Sequence, residues 1–348
     1  MKLHSKNWTR REIEQRVGRI EQIGGIKRYH LAGGKTDGVE QVQLRTGAGL
    51  TYYINVSRGM DISLAEYSGT PLSWQSSNGD VHPAFWRGAA LDWLETAVGG
   101  LLMTCGLTQV GSPCTDGDES LGLHGDVHLL AAELLRCEGE WTGDEYIMTV
   151  KGRLRHSRYF SENIVLTRTI RSHLGKNKIT IDDSVENAGF QKVPHMLLYH
   201  FNFGFPLISE DTELNIPSGR ITARDKDIPV EDFDHWQAPT AGYCERVYYH
   251  EDLKSVDKIA EATIRQPRFP IGGSLRPISV KLSWDTTNLP LLVQWKAPGE
   301  GTHVLGLEPA NCHVEGRIVE RERGSLQYLE PGEKRDYHVT LEIIDTES

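Results

Sequence analysis

Apolar and polar residues alternate through much of this chain with the period of two that is typical of β-strands. The stretch 179–185 alternates in this way, as half-buried antiparallel strands do. Turn residues, above all glycine, asparagine and proline, divide the alternating segments into hairpins. Predicted strands cover residues 38–44, 50–55, 62–67, 99–106, 133–137, 145–154, 164–171, 178–186, 281–283, 291–296 and 301–308, followed by a terminal hairpin of 324–329 and 337–344.

One helical pattern precedes the strands. In residues 9–23 the apolar side chains of Ile13, Val17 and Ile20 fall on one helix face, and Gly24-Gly25 ends the pattern. This predicts a peripheral N-terminal helix. Its surface and the sheet edges are compatible with a homodimer.

Two further segments depart from the strand pattern. Residues 89–98 predict a short helix, and residues 209–250 predict a long irregular loop, which at that length usually carries function or covers a site. No internal repeat, low-complexity tract or linker divides the chain. The sequence therefore predicts one all-β domain over residues 1–348, a large and mainly antiparallel β-sandwich.

Composition limits the partners. The chain has 348 residues, of which 25% are charged and 38% hydrophobic, the balance of a globular protein. A net charge of -10 argues against nucleic acids and anionic membranes. The first residues lack the apolar run of a signal peptide and no segment has the length of a membrane span, so we expect a cytoplasmic protein. The five cysteines include no Cys-x-x-Cys pair, which favours reduced thiols.

A histidine stands within a run of β-forming residues. Residues 197–203 form a predicted buried strand, closed by Gly204 and Pro206. A polar ring among so many apolar neighbours must find a partner or take part in chemistry. His200 is therefore either a core histidine bonded to a backbone carbonyl or an imidazole delivered to a pocket.

A carboxylate near the C-terminal end of the chain complements this imidazole. Glu308 lies at the end of an apolar strand, where Pro309 cannot donate a ladder hydrogen bond and would end the strand with the side chain at a rim. Alone, such a glutamate is most often solvated. Together with His200 it supplies the base and acid that a proton-transferring site requires.

Residues suited to sugar binding occur earlier in the chain. Arg58 and Asp61 flank Gly59 in a tight turn, which predicts either a hydroxyl-binding corner or a surface ion pair. Three closely spaced tryptophans are either core residues or an apolar platform for a sugar ring, namely Trp74, Trp86 and Trp93.

Three short motifs resemble those of the aldose 1-epimerases, the galactose mutarotase superfamily. Leu123-His124-Gly125 is similar to the family's His-Gly loop, Tyr199-His200-Phe201-Asn202 to its His-x-Phe-Asn strand, and Leu307-Glu308-Pro309 to its Leu-Glu-Pro segment. They occur in the family's order and span most of the chain, as in a divergent bacterial branch. The resemblance implies a galactose-mutarotase-like β-supersandwich with a few short helices. It also implies interconversion of the α and β anomers of a sugar without a cofactor.

The resemblance assigns roles as well. Glu308 would take the proton of the C1 hydroxyl as general base, and His200 would protonate the ring oxygen as general acid, so that the ring opens and recloses as the other anomer. His124 would hydrogen-bond near the ring oxygen. The family's substrate-binding arginine has no clear match, and Arg58 and Arg87 are the candidates. Further substrate-binding candidates are Asp61, His128, Asn202, Trp295 and Asn311.

Two other functions fit the same residues. A metal-dependent sugar isomerase would use four zinc or manganese ligands, namely His124, His128, His200 and Glu308. A carbohydrate-binding protein without catalysis would hold its sugar with the acidic loop and the tryptophans Trp86, Trp93 and Trp295. In each case the expected partner is a small-molecule carbohydrate, and the mutarotase alternative needs no metal.

Overall fold

The computed structural model describes residues 1–86 and 90–345, and strands dominate it. In chain order the strands are β1 (Lys2–Leu3), β2 (Lys6–Asn7), β3 (Gly25–His30), β4 (Glu40–Arg45), β5 (Leu50–Asn55), β6 (Asp61–Tyr67), β7 (Thr70–Pro71), β8 (Leu102–Leu107), β9 (Cys114–Asp116), β10 (Glu119–Leu121), β11 (Glu133–Thr142), β12 (Glu145–Ser157), β13 (Asn163–His173), β14 (Lys178–Asn187), β15 (Val193–Gly204), β16 (Glu213–Asn215), β17 (Arg220–Ala223), β18 (Arg246–Glu251), β19 (Ile259–Ile271), β20 (Ser274–Asp285), β21 (Leu291–Gly299), β22 (Thr302–Ala310), β23 (Gln327–Leu329) and β24 (Lys334–Asp345).

Helices are short and few in the described ranges. The α-helices are α1 (Arg10–Glu14), α2 (Trp93–Thr96) and α3 (Arg317–Arg323). Single 3-10 turns occupy Ile20–Gln22, Gly34–Thr36, Pro83–Phe85 and Val127–Leu129. None of these described helices is long and apolar enough to cross a membrane.

Most strands join two antiparallel sheets. The smaller of the two has the order β11-β12-β13-β14-β24-β20-β19-β16. The larger has the order β17-β18-β21-β22-β15-β8-β6-β5-β4-β3, with β23 paired to β15 and β7 to β6. Apolar side chains from both sheets form one core between them, which the Tyr52 and Ser172 hydroxyls bridge at 2.9 Å. The predicted all-β antiparallel sandwich is confirmed.

Strand β15 lies between β22 and β8 in the larger sheet and is buried on both faces. The side chains of Tyr199, Phe201 and Phe203 belong to the core between the sheets. Because successive side chains of a strand point to opposite faces, Leu198 and His200 lie on the outer face. The predicted buried strand around His200 is therefore confirmed, and its imidazole faces away from the main core.

Two predicted helices are shorter in the structure. The N-terminal helix ends at Glu14, although Thr9 and Glu12 form a capping box at its start. Ile13 is the one buried residue of the predicted apolar stripe, so little packing supports a longer helix. The second helix is α2, and the first residue of its predicted span 89–98 lies outside the described residues.

The C-terminal prediction is corrected at three places. Strand β22 does not stop at Glu308, because Pro309 still pairs with Leu292 and the strand runs to Ala310. The predicted terminal hairpin does not form, since β23 pairs with β15 while β24 inserts between β14 and β20. Between the predicted strands 301–308 and 324–329, where the sequence predicted no helix, the chain forms helix α3.

Candidate active site

The outer face of the larger sheet brings His200 of β15 beside Glu308 of β22. The register pairs Phe201 with Leu307, so the two polar side chains are neighbours on one face. His200 Nε2 lies 3.1 Å from Glu308 Oε1, and only 7% and 2% of the two side chains are exposed. Two residues far apart in sequence therefore form a buried imidazole and carboxyl pair.

Polar atoms of this pair lack hydrogen bonds. His200 Nδ1 and Glu308 Oε1 are buried and have no hydrogen-bond partner among the described residues. The 3.1 Å contact to Nε2 is close, but it is not aligned as a hydrogen bond. Buried polar atoms are normally satisfied, so these two atoms are available to bond a polar ligand or a water molecule.

A cavity of about 570 Å³ opens above the pair. This is within the range of about 300–1,000 Å³ that small-molecule sites usually have. Its buried floor includes Met103 of β8 and Val293 of β21. The remaining lining side chains are a mixture of aromatic, aliphatic and polar groups, among them Trp74, Asn78, Leu91, Trp93, Leu94, His124, Arg224, Glu245, Val247 and Trp295.

Aromatic rings surround the imidazole of His200. Trp295 stands edge-on to it with ring centroids 5.5 Å apart, and Trp74 stands edge-on to Trp295 at 6.0 Å. On the other side the His124 ring lies 5.9 Å from His200 and 5.1 Å from Trp93. The cavity thus combines apolar ring surfaces with a few polar groups, as sugar sites do.

His124 is held in the cavity by an unusual backbone. Its φ of 57° is left-handed, and Gly125 follows with a φ of 70°. A side chain at Gly125 would clash with the carbonyl oxygen of Gly106, whose own N–H donates to His124 O at 3.0 Å. The amide of Gly111 donates to His124 Nδ1 at 3.3 Å. Neutral His124 therefore carries its proton on Nε2 and can donate it to a ligand.

Burial determines the charges in the cavity. It lowers the pKa of His200 to about 3, with a further contribution from nearby His124, and lowers the pKa of His124 to about 4. Burial also raises the pKa of Glu308 well above its usual range, and the negative charge of Glu245 adds to this. Both shifts favour the uncharged forms, a neutral imidazole at His200 and a protonated carboxyl group at Glu308.

A polar cluster forms one wall of the cavity. The indole N–H of Trp295 donates to Glu245 Oε2 at 2.7 Å, and Arg224 Nη1 donates to Glu245 Oε1 at 3.2 Å. Arg224 Nη2 also donates to Asp225 at 2.9 Å. Arg224 and Glu245 were not predicted as site residues. They follow β17 and precede β18 within the predicted loop 209–250, where sequence showed acidic residues but no means of placing them.

Arg58 and Asp61 do not line this cavity, which corrects the predicted hydroxyl-binding corner. Arg58 is buried, and its Nη1 donates to Val81 O at 2.6 Å. Asp61 accepts hydrogen bonds from Thr104 N at 3.1 Å and Oγ1 at 2.6 Å, and from Arg168 Nη1 at 3.0 Å. The Asp61 carboxylate therefore makes its hydrogen bonds within the protein. The turn is neither a surface ion pair nor open to a ligand in the main cavity.

Three other predicted binding residues do not line the cavity and instead make hydrogen bonds within the protein next to it. His128 Nδ1 accepts a hydrogen bond from the Trp93 indole at 3.1 Å. Asn202 donates to the carbonyl oxygens of Gly100 and His200, both at 3.1 Å. The side chain of Asn311 accepts from Leu197 N at 2.7 Å and donates to His195 O at 3.2 Å, which fastens β22 to β15. Among the predicted binding residues, His124 and Trp295 do line the cavity.

The ligand set of the metal-dependent alternative is not assembled. His128 is turned to Trp93 and does not line the cavity that contains His124, His200 and Glu308. In residues 1–86 and 90–345 no group of three or more histidine, cysteine, aspartate or glutamate side chains has the geometry to hold a metal ion. Of the remaining candidates, Arg87 lies outside the described residues, and Trp86 lines a different cavity.

Several solved structures share this fold. A Klebsiella pneumoniae protein, described provisionally as an aldose 1-epimerase, has a TM-score of 0.82 at 23% identity, over 92% of this chain and 83% of that chain. A galactose mutarotase-like protein from Clostridium acetobutylicum has a TM-score of 0.59 at 15% identity, over 93% and 100% of the two chains. Galactose 1-epimerase from Lactobacillus acidophilus has a TM-score of 0.58 at 12% identity, over 92% and 98%. The predicted mutarotase-like fold is confirmed.

Sequence comparison assigns the chain to a family. A comparison with curated proteins finds no match. Residues 36–343, which include every strand from β4 to β23 and most of β24, match a family described as a domain of unknown function. The chain therefore belongs to the DUF4432 family, on a galactose-mutarotase-like fold.

Proposed function

We propose that this protein interconverts the α and β anomers of a reducing sugar. The observation that carries the proposal is the 3.1 Å approach of His200 Nε2 to Glu308 Oε1 on the floor of a cavity large enough for a sugar. Anomerisation needs one group that accepts a proton and one that donates a proton, placed on the two sides of C1. The pair holds the single proton that this exchange requires.

The chemical step moves protons without any net change. The hydroxyl groups of a bound sugar stabilise charge in the cavity, so the shared proton can pass from Glu308 to His200. The Glu308 carboxylate then takes the proton of the C1 hydroxyl while His200 gives its proton to the ring oxygen. The bond between C1 and the ring oxygen breaks and an aldehyde forms. Rotation about the C1–C2 bond and the reverse transfers give the other anomer.

The other cavity residues position the sugar. The Nε2 proton of His124 is free to bond the ring oxygen, since its Nδ1 is already an acceptor for Gly111 N. The rings of Trp74 and Trp295 offer apolar surface to the C–H groups of a sugar. Arg224 is already paired with Glu245 and Asp225. We therefore propose that the substrate is an uncharged sugar rather than a sugar phosphate or uronic acid.

Exchange spectroscopy tests this proposal. Anomeric proton resonances of a panel of neutral aldoses, uronic acids and sugar phosphates are followed by NMR with and without the protein. We expect catalysed exchange for at least one neutral aldose. Slow, uncatalysed exchange for every sugar in the panel, with binding seen by line broadening, would instead identify a carbohydrate-binding protein.

A further inference from the structure

A second cavity lies on the far side of the loop that carries His124. It has a volume of about 310 Å³ and includes Gly125, Asp126 and His156 in its lining. His124 itself faces the first cavity. The residues on either side of one peptide bond, His124 and Gly125, thus border two different spaces. A contact that fixes the Asp126 side chain on the side of the second cavity therefore also restricts the position of the His124 ring in the same loop.

The side chain that holds Asp126 is His156 of β12. His156 Nδ1 lies 2.8 Å from Asp126 Oδ1, a close charge contact that is not aligned as a hydrogen bond, and its Nε2 lies 3.4 Å from Glu162 Oε1. The exposed fractions of the three side chains are 12% for His156, 32% for Asp126 and 12% for Glu162. An imidazole with a carboxylate at each nitrogen forms two ion pairs only when both nitrogens carry protons. The arrangement therefore favours an imidazolium.

The charges around His156 agree with this state. Burial lowers the pKa of His156, but the carboxylates of Asp126 and Glu162 outweigh burial and raise it to about 9. The other charged groups lining the same cavity are Arg155, Arg158 and Glu119. Of these, Arg158 is paired with both Glu119 and Glu162 at 3.1 Å. Near neutral pH His156 is charged and anchored to a network on the sheet.

We propose that His156 is a positioning residue for His124, because its imidazolium fastens Asp126, and with it the loop, to Glu162 on the turn between β12 and β13. The proposal rests on the proposed function only for its kinetic consequence, since the mechanical link is a property of the fold. Backbone hydrogen bonds already fix the inner side of the loop. The backbone amides of His124 and Asp126 donate to the carbonyl oxygens of Gly111 at 2.9 Å and Gly106 at 3.2 Å. Loss of the His156 link would let its outer side move.

An NMR titration of the wild-type protein tests this without any sugar. The pKa of His124 is lowered to about 4, so its ring is neutral throughout pH 7–10. Its ring resonances should nevertheless shift with a midpoint near pH 9, when His156 loses its proton. The same shift should be lost in His156→Gln and kept in His173→Gln. His173 is a matched control because it contacts a carboxylate, Glu145, at 3.4 Å on the same sheet but away from the loop.

Kinetics provide the second readout. We expect His156→Gln to raise the KM for the sugar on the order of tenfold and to change kcat less, because His124 loses its position but the His200 and Glu308 pair remains. Asp126→Asn, which breaks only the link to the loop, should reproduce the effect if His156→Gln does not fold. A His124 shift that is absent from wild type, or that persists in His156→Gln, overturns the positioning role. Absence of catalysed anomerisation in wild type would overturn the proposed function and leave the NMR comparison decisive.

Discussion

Glu308 Oε1 approaches His200 Nε2 to within 3.1 Å at the floor of the main cavity, although 108 positions separate the two residues. Burial disfavours the charged form of each group, so a neutral imidazole and a protonated carboxyl group are favoured, and the pair has one proton to transfer. The chemistry that we propose depends on the pair carrying one proton, neither two nor none.

The acid limit of activity should be unusually low. The pKa of His200 is lowered to about 3, so the pair gains its second proton only near that pH, and Glu308 can then no longer accept one. At high pH activity should fall when the pair loses its single proton, above the usual carboxyl range because the pKa of Glu308 is raised. A profile of kcat/KM against pH measures both limits. An acid limit near pH 6.5, the ordinary value for histidine, would contradict these environments.

Glu245→Gln should alter both binding and the alkaline limit. The negative charge of Glu245 contributes to the raised pKa of Glu308, so its removal should move the alkaline limit to lower pH. The introduced amide oxygen still accepts a hydrogen bond from the Trp295 indole but pairs less strongly with Arg224. Because these residues form one wall of the cavity, the KM for the sugar should rise. The pH profile of the variant gives both numbers. Asp225→Asn is the control, since Asp225 contacts Arg224 but does not line the cavity, and an equal shift in that variant would refute the assignment to Glu245.

Gly125→Ala should destabilise the fold and displace His124. The residue has a φ of 70°, and its new Cβ would clash with the Gly106 carbonyl oxygen. Strained backbone alone costs on the order of 1–3 kcal/mol. Gly143→Ala is the matched control, because Gly143 has a φ of 59° and open space around it. Urea denaturation should show a clearly larger loss for Gly125→Ala, and equal losses would mean that the close approach to Gly106 is unimportant.

Asp61→Asn should reduce stability and leave sugar binding unchanged. The buried carboxyl group accepts hydrogen bonds from Thr104 and Arg168, and weakening hydrogen bonds to a charged group costs about 1.5–3 kcal/mol, while Arg168 keeps its pair with Asp183. Asp182→Asn weakens the half-exposed pairs with Arg171 and His338 and should cost less than about 1 kcal/mol. Chemical denaturation compares the two variants. A large rise in KM with unchanged stability in Asp61→Asn would restore the original prediction that Asp61 binds substrate.

The sequence predicted most of the long strands in which large apolar residues alternate, but it assigned β18 to the irregular loop 209–250. It missed β19, whose inward positions include Ala260 and Ala262, because small side chains make alternation inconspicuous and Pro267 interrupts it. In the structure, the pairing of β19 with β20 accommodates Pro267 by a register shift between Gln266 and Phe269. The predicted terminal hairpin was wrong because a hairpin pairs segments that are adjacent in sequence, whereas β24 pairs with β14 and β20 inside the smaller sheet.

The site was predictable to the extent that single residues carry a signal. His200, His124, Glu308 and Trp295 line one cavity, as their types and motifs predicted. Asn311 carried no signal that distinguishes a ligand contact from a bond to the backbone of a neighbouring strand. Such distinctions depend on which strands are adjacent, and that is decided by the complete fold rather than by local sequence.

The most direct test compares the anomerisation rate of wild type with that of Glu308→Gln and His200→Asn. Two-dimensional exchange NMR at the anomeric protons of the best neutral aldose measures all three rates. His250→Asn serves as the control, because His250 is a buried histidine of the same sheet that is bonded to Ser218 and Gln294 and does not line the cavity. We expect Glu308→Gln and His200→Asn each to lose about two or more orders of magnitude while remaining folded, and His250→Asn to keep its rate per folded molecule. Undiminished exchange in either cavity variant would contradict proton transfer by this pair.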